Sequence, residues 1–236
     1  MSLLSDPHRF RKTVAGLCLI GAPLAGFLSC LTDADEGTGE KGSELYPTVQ
    51  AHASGIHTTG LVFMLSAVLT VPMALGLSHV LRRRGAVLGH LGAAALGLGA
   101  FGHFGYGLWQ VIVSRAAAPG DNAATVAYLD RISSATGFLL PLMILVDVGV
   151  VLLCAGLLRA RAVAAWAPWL AIGVIAADIL VQFAGVTATW PVTAVWAVLT
   201  VALGYVGVRF LAMPAATWAA YGSVPTPVTE HEPIPA

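Results

Sequence analysis

The chain has 236 residues, of which 57% are hydrophobic and 10% charged, against about 25% charged residues in an ordinary soluble domain. Basic and acidic residues balance at twelve each, so net charge offers nothing to nucleic acid or to an anionic lipid surface. Several apolar runs of about 20 residues and a mean hydropathy of +0.81 specify an all-α, polytopic membrane protein, expected in the cytoplasmic membrane of a bacterium.

Arg9, Arg11 and Lys12 precede the first apolar run, Thr13 to Leu31. The run is long and lacks a small-x-small cleavage site, so it is expected to stay as the first span. Residues 32–54, TDADEGTGEKGSELYPTVQAHAS, are expected to form an acidic, Gly-rich loop. The second span is predicted over 55–81, ending at Arg82-Arg83-Arg84, and the third over 86–114. In the following loop TVAYLDRI suits a short interfacial helix. The fourth span is predicted over 135–158, closed by Arg159 and Arg161, the fifth over 164–185 and the sixth over 191–213. Residues 1–213 then form one six-helix domain. The Pro-rich tail, 214–236, is expected to be disordered after interfacial anchoring by Trp218 and Tyr221.

Orientation follows from Lys and Arg. The N-terminus and the turns at 82–84 and 159–161 are basic, whereas the 32–54 loop sets Asp33, Asp35, Glu36, Glu40 and Glu44 against Lys41. The positive-inside rule therefore places both termini in the cytoplasm. Cysteines carry no redox signal. Cys18 and Cys30 share one predicted helix, about 18 Å apart at 1.5 Å per residue, too far for a disulfide. Cys154 is isolated and no CxxC occurs.

The third span, AVLGHLGAAALGLGAFGHFGYGLWQVIVS, is expected to be the central helix of the bundle. Its glycines let neighbouring helices approach closely. His103, Tyr106 and Gln110, at i, i+3 and i+7, lie on one helical face. Only Asp147 and Asp178 fall near the middle of a span, where a carboxylate costs about 2.5–3.5 kcal/mol on insertion scales and is usually functional. Gln182 follows Asp178 at i+4, and His57 enters near the outer end of the second span. One polar cavity lined by His57, His103, Tyr106, Gln110, Asp147, Asp178 and Gln182, and walled by Phe101, Phe104, Trp109 and Phe183, would satisfy these groups together. A protonated carboxylic acid beside aromatic faces suits acid-initiated carbocation chemistry, since ring quadrupoles stabilise the cation. Such Asp and His residues also serve to lock helices together. His79 and His90 flank the basic turn and suit the interface.

In general character the chain resembles the small integral-membrane terpene cyclases of bacterial and fungal meroterpenoid and indole-terpenoid pathways. The resemblance rests on a short all-helical chain whose spans bear isolated carboxylates and aromatics. It departs from the fungal group, described with seven spans and a membrane Glu, because these six predicted spans hold no Glu. No motif matches residue by residue, so Asp147 and Asp178 rest on depth alone. The resemblance implies acid-initiated cyclisation or isomerisation of a lipid-soluble isoprenoid, without cofactor or metal. Asp147 or Asp178 would be the proton donor, with His57, His103, Tyr106 and Gln182 as orienting or deprotonating groups.

Two other classes compete. In a haem b electron-transfer protein, His57 would pair with His103, or His79 with His90, across the second and third spans. A transporter or a non-catalytic assembly subunit would use the same carboxylates as a proton relay or as glue. Inverted repeats are not evident, and neither HxxxH nor HExxH is present for a metal hydrolase.

Overall fold

A computed structural model describes residues 6–32, 42–116, 122–135, 137–183 and 190–222. Among these, eight helices and no strand occur: α1 (Pro7–Thr32), α2 (Gly42–Leu81), α3 (Ala86–Ala116), α4 (Asn122–Ala135), α5 (Leu139–Ala160), α6 (Trp166–Phe183), α7 (Trp190–Ala212) and α8 (Ala215–Gly222). Five of them, α1, α2, α3, α5 and α7, are long and apolar enough to cross a membrane, while the apolar part of α6, Trp166–Val181, is shorter. Large aliphatic and aromatic side chains such as Leu17, Leu75, Val87 and Phe101 are exposed on the outside. An apolar exterior belongs in hydrocarbon, where helices satisfy every backbone polar group internally. The chain has the build of an integral membrane protein.

Local chemistry sets the helix ends. Asp6 Oδ1 accepts from the backbone N–H of His8 (2.9 Å) and Arg9 (3.2 Å), an N-terminal cap. Pro141, Pro168 and Pro191 all stand in the first turn of their helices, where a missing N–H costs nothing. Pro141 thus explains why α5 starts at Leu139 and not at 135. α5 ends with Arg161 in the left-handed region (φ 52°); its N–H donates to Leu158 O (3.2 Å) and that of Ala162 to Leu157 O (3.3 Å), a C-terminal cap usually given to glycine. Gly85, at φ 100°, turns the chain between α2 and α3.

Two expectations for connecting segments are corrected. The second half of the 32–54 loop is helical: α2 begins at Gly42 and kinks at His52 (φ −122°, ψ 20°). Leu45, Tyr46 and Val49 from this extension pack with Ile56, Val113 and Leu129 of α4 into a satellite cluster, and that burial makes the segment fold. The start of the tail is also helical. Trp218 of α8 is 1% exposed, stacked on His79 (4.8 Å) and edge-on to Phe210 (5.4 Å); it is a core residue, not an interfacial anchor. The short helix expected around TVAYLDRI is α4. Residues 223–236 of the tail lie outside the described residues.

Around the bundle, α1 packs on α2, α2 on α3, α3 on α5, α5 on α6, α6 on α7, and α7 returns to α1. Each neighbour runs antiparallel to the last. This closed ring of six helices corrects the expectation of a central α3, which keeps one face outward (Val87, Leu91, Leu98, Phe101). Small residues set its tightest contacts. A methyl group added to Gly99 would lie 2.5 Å from Val146 N, and one on Gly102 2.9 Å from Met143 N, while Gly60 and Gly107 face each other across α2 and α3. Gly16 and Gly207 do the same across α1 and α7. There Lys12 Nζ donates to Leu211 O (3.0 Å) and Met213 O (2.6 Å), tying the first helix to the last carbonyls of α7. Lys12, Arg82, Arg159, Arg161 and Arg209 thereby gather at one end of the ring, opposite α4.

Candidate functional site

The ring surrounds a partly open cavity of about 470 Å³, lined by residues of α1, α2, α3, α5, α6 and α7 and within the range of small-molecule sites. Its polar lining includes His103, Tyr106, Gln110, Asp147 and Asp178, together with Ser29, Thr59 and Thr70. Five of the seven polar residues expected to converge therefore do so. Asp147 and Asp178 are both half-buried and close enough to interact electrostatically.

Depth within the cavity follows from helix register. Val146 lies beside Gly99, so Asp147 is level with about Leu98 of α3. Gln110 stands twelve residues further along α3, about 18 Å towards the α4 end at 1.5 Å per residue. Between these two poles lies an aromatic group. His103 is 7% exposed, with its ring 4.7 Å from Phe63 and 6.1 Å from Trp196; Phe63 also meets Tyr106 edge-on at 5.9 Å and Trp196 at 6.4 Å. Trp196 fits because α1 offers Gly26, where any side chain would overlap its indole. The site is thus a slot with a carboxyl pair at its middle depth, aromatic faces next to it, and Gln110 at its α4 end. On one side Leu140 and Ile144 of α5 and Val192 of α7 line the slot and are also exposed on the outer surface of the ring.

Several expected members fall elsewhere. His57 does not line the cavity. Its Nδ1 is 3.3 Å from Ser114 Oγ, and because that hydroxyl donates to Val111 O (2.8 Å), the imidazole N–H is the donor of the pair. Phe101 (71% exposed) and Phe104 (38% exposed) point outward; at 100° per residue they leave the His103 face. Trp109 stacks on Tyr106 (5.4 Å) and packs against the satellite cluster, away from the slot. The side chains of Gln182 and Phe183 lie outside the described residues. Phe63 and Trp196, which supply the aromatic walls instead, carry no mark in the sequence beyond being aromatic.

The histidines do not converge for haem or metal. His57 turns to Ser114, His79 Nε2 donates to Trp218 O (3.1 Å), and His90 is exposed, so neither pair across α2 and α3 forms. Among the described residues no group of three or more His, Cys, Asp and Glu is placed to hold a metal ion. In comparisons with known proteins, no family model matches the chain, and no curated protein or solved structure matches it significantly.

Proposed function

We propose that the protein is an enzyme of a bacterial cytoplasmic membrane that cyclises or isomerises a lipid-soluble isoprenoid by acid initiation. The observation that carries this reading is the meeting of two intramembrane carboxyls with a run of aromatic faces in one slot. In the same reading α6 is a sixth span, and the basic end of the ring, with both termini, faces the cytoplasm.

One carboxyl O–H, of Asp147 or Asp178, gives its proton to an alkene carbon or an epoxide oxygen of the substrate. The alkene π pair forms the new C–H bond, or the epoxide C–O bond breaks with its pair kept on oxygen. Either route leaves a carbocation facing Phe63 and Trp196, whose ring quadrupoles stabilise it by about 0.5–2 kcal/mol per ring. A second alkene of the chain then donates its π pair to form the ring bond. The final cation loses a proton from the adjacent carbon, which returns to the carboxylate. Substrate and product are isomers, so no cofactor or co-substrate enters. His103 and Tyr106, beside the path, orient the chain or relay the last proton.

The test is turnover of an epoxidised farnesyl phenol by protein in liposomes, followed by mass spectrometry for an isomeric product. Asp147→Asn and Asp178→Asn are each expected to lower the rate at least about 100-fold, while both variants insert and stay monodisperse. Full activity in both single variants would overturn the assignment.

A further inference from the structure

Gln110 is 2% exposed and lines the slot, and its Oε1 is buried without a hydrogen-bond partner among the described residues. Burying a carboxamide oxygen unpaired gives up its hydration with nothing in return, a loss that most native sites avoid. Its neighbours explain why no donor is at hand. The backbone N–H groups of α3 are engaged in the helix, and α2 approaches here through Gly60, which has no side chain to offer; a methyl added to Gly60 would lie 3.1 Å from Gln110 Cβ. Elsewhere in the slot small polar groups are satisfied internally: Thr70 Oγ1 donates to Ser66 O (2.9 Å), and Thr59 Oγ1 pairs with Thr32 Oγ1 (2.9 Å).

We infer that Gln110 is the head-group site of the slot and that its ligand is a lipid-soluble alcohol, whose hydroxyl donates to Gln110 Oε1. A hydroxyl complements a carboxamide because it donates to the oxygen and accepts from the NH₂. The rest of the ligand runs along α3 past Phe63 and Trp196, so that carbons remote from the hydroxyl reach Asp147 and Asp178. Gln110 is a binding and positioning residue: it sets which carbon of the chain meets the acid. This inference rests on reading the slot as a lipid site, and not on the chemistry at the two carboxyls.

Farnesol and its methyl ether, which differ by the one O–H hydrogen, are the probes. Binding of each tritiated probe to the full-length protein in one detergent is measured by equilibrium dialysis. The wild type is expected to bind farnesol about tenfold more tightly than the ether, the usual scale of one hydrogen bond to a buried group. Gln110→Met, close to Gln in size and shape but apolar, is expected to bind both equally. Equal binding of the two probes by the wild type would overturn the inference without any variant, as would tighter binding of the ether. A farnesol preference that survives in a monodisperse Gln110→Met protein would overturn it too. Failure of both probes to bind would instead remove the lipid-site reading beneath it.

Discussion

Trp196 shows how single residues make this slot. Its indole occupies space left by Gly26 and faces Phe63 and His103, so shape holds it in place. A cation formed beside it gains from the ring face. Trp196→Phe keeps a face and is expected to retain most of the rate, whereas Trp196→Leu is expected to lower turnover about tenfold and to redistribute products. Initial rates and product ratios in liposomes check this, and equal rates for the two variants would remove Trp196 from the reaction. At this scale the sequence was informative where helical arithmetic sufficed. His103, Tyr106 and Gln110 share a face by spacing alone, and Asp147 and Asp178 share a depth by counting. The same arithmetic sends Phe101 about 200° from His103, which is why it faces outward. His57 was legible in depth but not in direction, because its direction depends on Ser114 of a neighbouring helix.

Helix pairs are governed by where side chains are missing. Gly99 meets the backbone of α5, whereas a methyl group on Gly97 would touch nothing within 4 Å. Backbone cannot step aside as a flexible side chain can, so Gly99→Ala is expected to cost about 1–3 kcal/mol of stability. Gly97→Ala should leave stability unchanged or slightly raised. Thermal unfolding of the two variants in the same detergent provides the comparison, and equal midpoints would refute the register of α3 on α5. From sequence, the glycine ladder announced close packing but not which glycine meets which helix. The start of α7 was legible at Pro191 and that of α6 to within two residues, whereas the expected start of α5 at 135 overlooks Pro141, which marks its first turn at Leu139. The α2 extension was not, since its acidic, Gly-rich lead-in masks a segment that folds by burying Leu45, Tyr46 and Val49 against α4.

For the whole molecule, hydropathy made the membrane character and the approximate spans legible, while the ring arrangement was not, because a linear pattern says which faces are apolar but not which helices adjoin. The gathering of Lys12, Arg82, Arg159, Arg161 and Arg209 at one end leads to a topological prediction. A fluorescent protein fused after Ala236 is expected to fluoresce in the cytoplasm, and alkaline phosphatase fused at the same place to stay inactive. Active phosphatase there would mean an odd number of spans or the reverse orientation.

The seam between α1 and α7 joins the first long helix of the chain to the last. Gly16 meets Gly207, and Lys12 reaches the carbonyls of Leu211 and Met213. During synthesis α1 must therefore wait for its partner while about 180 residues are added, roughly 10–35 s at 5–20 residues per second. The slot has no closed wall until then. If α6 spans the bilayer as proposed, Asp147 and Asp178 enter it before the wall beside them is complete, and a chain halted before α7 is expected to present two carboxyls to lipid and to be degraded faster than the full chain.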